Sequence, residues 1–593
     1  MCGLAGELRF DGRAADVAAV ERITQRMTDR GPDSCGTFAR GPLALGHRRL
    51  QIIDLSSAGE QPMVDAELGL TLVFNGCIYN YRELRDELAA YGYRFFSTSD
   101  TEVILKAYHR WGTGCVERFR GMFAFAIAER DSGRLVLARD RLGIKPLYVD
   151  ETPQRLRFAS TLPALLAGGG VDTSIDPVAL HHYLTFHSVV PAPLTILRGV
   201  RKLPPATVRT VEPDGSASDW TYWAPAFERP ADGPTGKEEW GEVLLDSLRT
   251  AVKRRMVADV PIGVLLSGGF DSSLVVALLA ESGQTGLQTF SIGFSSAGGE
   301  SGDEFCYSDV IAERFATDHH RIRIGDDRLL PGVDAAIAAM SEPMVSHDCV
   351  AFFLLSQEVA KHVKVVQSGQ GADEVLAGYD WYPPLAAVPR AGALSSYADV
   401  FFDRPHRALA DMVEPGYLEA EDVSRAFAQA HFDAPGAAEA VDAALRIDTT
   451  VMLVDDPVKR VDNMTMAAGL EARVPFLDHE FVELAAACPP GLKLAGGGKG
   501  VLKDAARALL PAGVIDREKG YFPVPAIRHL SGPMLERVRD ALTNDTARAR
   551  GLFRADYVSQ RLATPNDTRT TLGSNALWQL GLLELWLQTM AIP

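Results

Sequence analysis

Cysteine is scarce, with seven residues in 593, at positions 2, 35, 77, 115, 306, 349 and 488. The number is odd and no C-x-x-C pair occurs, which argues against a disulfide framework and for a reducing compartment. No run of about 18 uncharged apolar residues is present, so no membrane-spanning helix is expected. The opening MCGLAGELRF carries Glu7 and Arg9 and lacks the apolar core of a signal peptide, so a cytoplasmic location is expected. Basic charge is short as well: 60 Lys and Arg stand against 77 Asp and Glu, a formal charge of −17. Nucleic acid is therefore not an expected partner, since its binders usually show a basic face. A small anionic substrate in a local basic pocket stays compatible with that balance. Repeats and low-complexity tracts are also missing. What remains, 47% apolar and 23% charged residues, is the composition of a folded chain.

At roughly 150 residues per domain the length would suit about four domains, but the texture of the sequence divides it in two. The first part has many short β-type runs, among them Leu43–Leu45, Leu72–Phe74, Phe123–Ala128 and Leu135–Ala138. Its clearest helices are Arg82–Tyr91 and Glu102–Trp111, where apolar residues recur at three- and four-residue intervals. A Pro-, Gly- and Ala-rich stretch then reads as a linker. Beyond it, the helical pattern Glu239–Met256 is followed by an apolar strand (Ile262–Leu266), a Gly turn and a helix, and the runs LQTFSIGF and VKVVQ repeat the strand signal. Such alternation predicts a parallel α/β sheet. From Pro383 onward the pattern is mainly helical. The division expected is residues 1–222, a linker at 223–236, and residues 237–593.

Two local features carry chemistry. In SGGFDSS (Ser267–Ser273), Gly268 and Gly269 permit a tight turn, and the helix that follows offers its positive end to an anion. Asp271 inside that loop would repel phosphate unless a divalent cation lies between them. Asp373–Glu374 forms a second acidic turn after a strand, so both meet at the carboxyl edge of one sheet. Together they imply Mg-nucleotide chemistry. The second feature is Cys2, which stands behind only the initiator Met. Removal of that Met would give the thiol an adjacent α-amine, of unperturbed pKa about 7.7–8.0, as general base. RGPD (Arg30–Asp33), GHRRL (Gly46–Leu50), FNGCIYN (Phe74–Asn80) and SDTEV (Ser99–Val103) supply a cation, main-chain amides and a carboxylate to hold an amino acid by both ends.

With MCGLAG, RGPD, RRLQIIDLS, NGCIYN, SDTEV and ARDRLGIKPLY in order, then GVLLSGGFDSS, FSIGF, SGQGADEVLAGY, LEARVPFLD and REKGYFPVP, the chain resembles a class II glutamine amidotransferase of the asparagine synthetase family along nearly its whole length. The resemblance implies an N-terminal-nucleophile αββα sandwich followed by an α/β ATP-pyrophosphatase domain (adenine nucleotide α-hydrolase-like) with a helical C-terminal part. It also implies a two-site reaction. Cys2 attacks the carboxamide of glutamine, with Arg49, Ile52, Ile53, Asn75, Gly76, Cys77 and Asp100 around the substrate. Within that set Arg49 takes the carboxylate, Asp100 the amino group, and Asn75 and Gly76 form the oxyanion hole. ATP then adenylates a carboxylate acceptor, which the released ammonia amidates. Leu266, Ser267, Gly268, Gly269, Asp271, Ser272, Ser273, Ile292, Ser368 and Gly369 would hold ATP. Gln370, Asp373 and Glu374 would face the acceptor, Asp271 and Asp373 would hold Mg²⁺, and Lys503 would stabilise charge in the transition state. Arg517 and Lys519 read either as further phosphate contacts or as exposed charges. A homodimer is implied as well.

Four positions depart from the family pattern. Cys77 stands where Glu usually follows Asn-Gly, removing a carboxylate expected near the amino group of glutamine. Asp29 replaces the His before RGPD, and Thr161 the Glu of the FASE segment. Gln370 replaces Glu in S-G-E-G-x-D-E, and a neutral amide cannot act as a base at neutral pH. SGQGADEVLAGYDWYPPL, NGCIYNY, FASTLPALL and LTFHSVVPAP are most similar to the N-acetylglutaminylglutamine amidotransferase branch, which implies an acetylated dipeptide osmoprotectant as acceptor in place of aspartate. Trp381 and Tyr382 read equally as walls of a larger acceptor pocket or as core. Two rivals are weaker: an amidotransferase acting on a sugar phosphate or phosphoribosyl donor does not need SGGFDSS with Asp373, and a non-catalytic scaffold does not need Cys2, Arg49, Asp271, Asp373 and Lys503 together.

Overall fold

The structure is a computed structural model describing residues 2–231, 233–294, 303–517 and 525–593. Two six-stranded antiparallel sheets form the first part. One has the strand order Arg201–Lys202, Tyr148–Thr152, Arg155–Ala159, Gly3–Arg9, Leu43–Arg49, Ser34–Arg40; the other runs Ala217–Thr221, Thr207–Val211, Leu135–Arg139, Gly121–Glu129, Leu70–Ile78, Met63–Asp65. Strand alternation sorts side chains between layers. Val73, Ala124 and Ala126 meet Leu4, Leu45 and Phe158 between the sheets. Their neighbours Leu72, Phe74, Phe123 and Phe125 instead pack with Leu84, Leu88, Val103 and Ile104 of the helices Tyr81–Ala90 and Asp100–Trp111. On the opposite face Ala5 and Ala44 pack with Val20, Ile23 and Leu162 of the helices Val17–Arg26 and Leu162–Ala167. This is the αββα sandwich expected. Both faces of its inner strands are buried, so they read as near-continuous apolar runs.

No helix or strand lies between Thr221 and Lys237 among the described residues. The second part holds a five-stranded sheet, parallel throughout, in the order Asp318–Arg323, Gln288–Gly293, Ile262–Leu265, Val365–Gln367, Glu471–Arg473. Helices cover both faces: Val264 packs with Lys237–Arg254 and Phe270–Glu281, while Leu265 packs with Asp348–Val359. The chain leaves the central strand in one direction and returns on its other side, which opens a crevice at the carboxyl ends of Ile262–Leu265 and Val365–Gln367. Helices dominate after Pro383, with one exception the sequence pattern concealed. Glu471–Arg473 is a strand of three residues, too short to show a period, and buried throughout. Among the described residues no helix is long and apolar enough to cross a membrane, and all seven cysteines are free.

Candidate active sites

The first pocket, of about 370 Å³, is lined by Cys2, Arg49, Ile52, Ile53, Gly76, Cys77 and Asp100, together with Gln61, Ser99 and Thr101. Cys2 immediately precedes the strand Gly3–Arg9 in the middle of its sheet, and its main-chain nitrogen donates to Asn75 Oδ1 at 3.0 Å. That bond fixes the amide orientation of Asn75, which is fully buried and next in sequence to the lining residue Gly76. Its Nδ2 has no hydrogen-bond partner among the described residues, an arrangement that suits a donor awaiting an oxygen from a ligand. Gly76 follows with φ +157°, and a Cβ there would lie 2.1 Å from Met122 O, so only glycine lets the strand Gly121–Glu129 approach. Burial pushes the Cys2 thiol up from its ordinary value; attack through the thiolate therefore needs a base beside it.

Main-chain atoms hold Arg49 and Asp100 at this pocket. Arg49 donates to the carbonyls of Ser56 (2.9 Å), Ile53 (3.3 Å) and Asp54, so its guanidinium is pinned under the IIDLS turn. Asp100 opens its helix behind the cap residue Ser99, whose side chain accepts from Thr101 N, and Asp100 Oδ2 accepts from Ile78 N at 3.0 Å. Burial pushes the Asp100 carboxyl up to about 6, with the charge of Glu471 adding to the shift. Arg30 of RGPD lies behind Cys2, its Nε 3.3 Å from Cys2 O, and it bridges to Asp462 of the second part at 2.8 Å.

Three residues of the pocket wall had no role in the sequence reading, Gln61, Glu471 and Arg473. Glu471 and Arg473 reach it from the edge strand of the second sheet, with Arg473 Nη2 3.8 Å from Cys77 Sγ. The LEARVPFLD motif drew attention to the segment, but nothing local says that it contacts Cys77, nearly 400 residues earlier.

The second pocket, of about 600 Å³, lies in the sheet crevice. Leu266, Ser267, Gly269, Asp271, Ser272, Ser368, Gly369, Gln370, Asp373 and Glu374 line it, with Leu265, Phe290, Phe352 and Leu355 as an apolar wall. Ser272 Oγ bonds back across the turn to Ser267 N (3.2 Å) and Gly269 O (3.2 Å), which sets the open loop before the helix. Gly369 brings the two loops together: a Cβ there would lie 2.9 Å from Asp271 Cβ and from Ser272 N. Gly268, Ser273 and Ile292 are not on the lining. Ser273 and Ile292 are buried, and so is Gly268, whose carbonyl accepts from Arg517 Nη1 at 3.3 Å. Arg517 also pairs with Glu304 and lies 3.9 Å above the Tyr307 ring, so it is not a loose surface charge. Lys519 lies outside the described residues.

Lys499 reaches two acids of this pocket. Its Nζ is 2.6 Å from Asp271 Oδ2 and 2.8 Å from Asp373 Oδ1, and against the cost of burial these two carboxylates hold its pKa above the ordinary lysine value. Lys503 lies one turn further on and donates to Gly496 O at 3.1 Å. Burial and the neighbouring Lys499 charge push its pKa down. The run Gly496–Gly498 immediately before Lys499 was the available signal. Among the described residues no group of three or more His, Cys, Asp or Glu forms a metal cluster. An Asp271–Asp373 pair nonetheless fits Mg²⁺, which is held by one or two carboxylates with substrate phosphates completing its shell.

The departures from the family pattern fall in different places. Asp29 is exposed in a single turn. Thr161 caps Leu162–Ala167, its Oγ1 accepting from Ala164 N at 3.3 Å. Tyr382 is fully buried and donates to Asp448 Oδ2 at 2.6 Å, while Trp381 stacks on Tyr379 with centroids 4.0 Å apart and bonds the same carboxylate. Neither ring lines the second pocket, so both belong to the core around Asp448. Cys77 and Gln370, by contrast, each face a pocket.

The asparagine synthase family pattern matches residues 243–588, and the glutamine amidotransferase domain matches residues 1–223. The chain belongs to the asparagine synthase family. It is 31% identical to asparagine synthetase [glutamine-hydrolyzing] 1 of Bacillus subtilis, over 99% of this chain and 96% of that one. It is 28% identical to asparagine synthetase B of Escherichia coli K12, over 88% and 82%. Family likeness also extends to a protein of another name, amidase chyE of Penicillium rubens, at 25% identity over 93% of each. The chain is thus a glutamine-hydrolysing, asparagine-synthetase-like carbon–nitrogen ligase that uses ATP.

Proposed function

We propose that this ligase amidates the C-terminal carboxylate of N-acetylglutaminylglutamine. The observation that carries this reading is Gln370: a neutral amide stands beside Asp373 and Glu374 on the nucleotide pocket wall, where the family pattern has an acid. Removing that charge changes what the pocket offers an acceptor carboxylate, and it removes a base. Aspartate is the second reading, supported by relatives named asparagine synthetase, among them those of Bacillus subtilis and Escherichia coli. Purified enzyme assayed for AMP and pyrophosphate with each acceptor tests the choice. Asparagine formation without dipeptide turnover overturns the dipeptide.

In the proposed reaction Cys2 Sγ attacks the glutamine carboxamide carbon while its proton passes to the α-amine and on to the departing ammonia. Asn75 Nδ2 and Gly76 N–H take the developing oxyanion, Arg49 the substrate carboxylate and Asp100 its ammonium. Water then hydrolyses the γ-glutamyl thioester. In the second pocket the acceptor carboxylate oxygen attacks the α-phosphorus of ATP and pyrophosphate leaves; ammonia then displaces AMP from the acyl-adenylate. Asp271 and Asp373 would hold Mg²⁺, which supplies charge neutralisation at the phosphates. Lys499, released from the two acids, is the cation best placed to meet the leaving group. We further propose domain limits at 1–222 and 237–593, a cytoplasmic location consistent with seven free thiols, and a homodimer, which sedimentation would test.

A further inference from the structure

Glutamine arrives at the first pocket as a zwitterion, with one cation to place. The amidotransferase half offers the pocket the Asp100 carboxylate, and at position 77 it offers a thiol. The missing acid has a counterpart on the opposite wall. Glu471 is 1% exposed and shares the lining with Cys2, Arg49, Cys77 and Asp100. Its charge is felt by both Cys2 and Asp100. Against the cost of burial, the Arg473 guanidinium 2.5 Å away holds Glu471 below the usual carboxylate range, so it stays ionised.

Arg473 cannot drift from this position. Its Nη1 donates to Arg255 O at 2.7 Å and to Val257 O at 2.8 Å, and its guanidinium lies over the Tyr79 ring. The main chain is fixed as well, because Glu471 N donates to Lys364 O at 2.8 Å and Arg473 O accepts from Ser368 N at 2.9 Å. Two buried carboxylates therefore converge on the pocket from different halves of the protein, beside a thiol, and an ammonium between them would offset their mutual repulsion.

We propose that Glu471 binds the α-ammonium of glutamine together with Asp100, supplying the carboxylate that position 77 lacks, so that the glutamine site is completed by the synthetase half. The test is hydrolysis of glutamine against its des-amino analogue 4-carbamoylbutanoate by the full chain. In Glu471→Gln the ratio of the two kcat/KM values falls by about tenfold or more, because only the substrate bearing the ammonium loses a partner. Glu471→Asp keeps a charge beside Arg473 and carries the test if the first variant does not fold; there the ratio falls a few-fold. A ratio unchanged from wild type, with both substrates slowed alike, overturns the assignment and leaves Glu471 a merely structural partner of Arg473. Wild-type glutamine hydrolysis in the same series separates this failure from a failure of the active-site reading itself.

Discussion

Around Cys2 the groups from the amidotransferase half are held by main-chain atoms, Arg49 by the carbonyls of Ile53 and Ser56, Asp100 by Ile78 N and Asn75 by Cys2 N. Only the Glu471–Arg473 pair from the other half is held side chain to side chain among the charged groups described there. Around the nucleotide loops the charged side chains hold one another instead, with Lys499 clasping Asp271 and Asp373. The first arrangement is preorganised, because its dipoles need not move when charge develops on the glutamine oxygen. The second is a closed ion cluster, which would have to exchange partners if phosphates and a cation enter as proposed. One pocket is built to act on arrival and the other to rearrange. They share a wall, for Arg473 presents its side chain to the first pocket and its carbonyl to Ser368 of the second.

The sharpest way to divide the two is Cys2→Ala. Loss of the nucleophile should lower glutamine-dependent synthesis by about 10⁴-fold or more, while ammonia-dependent pyrophosphate release persists. Equal loss of both activities would break the comparison. Next in size are Asn75→Ala and Lys499→Met, each expected to cost about 10²–10³-fold in kcat, one in glutaminase and the other in pyrophosphate release. Lys503→Met, assayed beside Lys499→Met, should cost less than about tenfold, since its ammonium bonds Gly496 O and neither acid. The reverse order would return the role to Lys503.

A smaller effect follows from pH. Burial raises the Asp100 carboxyl to about 6, so it is ionised above that pH and protonated below it. A neutral acid does not hold an ammonium, so kcat/KM for glutamine should fall by about tenfold per unit as pH drops below about 6. Ammonia-dependent synthesis, which does not use this pocket, should lack that inflection, and Asp100→Asn should remove it.

The difference between the pockets also explains how far each was legible. The αββα sandwich was legible through the ordered family motifs and not through strand periodicity. Its inner strands bury both faces, Val73 toward one layer and Leu72 and Phe74 toward the next, and so show only apolar runs. Cys2, Arg49, Gly76 and Asp100 were readable because each sits in its own short motif, and local geometry sends it to the pocket. The Gly loop was readable for the same reason. Lys499 carried no motif of its own, since it stands just before the helix that bears Lys503, and its αL backbone after three glycines (φ +58°) is what brings its amine to the acids. Glu471 and Arg473 were unreadable as pocket residues, since their place depends on a parallel pairing, Gln367 with Arg473, between segments about a hundred residues apart. The two rings of the WYPP turn went to the core because Asp448 needs their donors.

The least of the expected effects touches neither pocket, and this makes it a control on the comparison. Thr161 departs from the family pattern as Gln370 does, yet its hydroxyl accepts from Ala164 N at the start of Leu162–Ala167. That helix packs on Val17–Arg26, on the face of the sandwich away from the helices that carry Asp100. Removing an N-cap oxygen leaves one orphan N–H and costs about 1 kcal/mol. In a region of this size that is a fall of roughly 2–4 °C in melting temperature. Thr161→Ala should therefore shift the thermal transition of the first part and leave the KM for glutamine and the acceptor preference unchanged. If Thr161→Ala altered either constant, the helix would be coupled to a pocket, and the separation of structural from functional departures would fail. Gln370→Glu, run beside it, should do the opposite, shifting the acceptor preference with little change in stability, because its side chain faces the pocket and not the core.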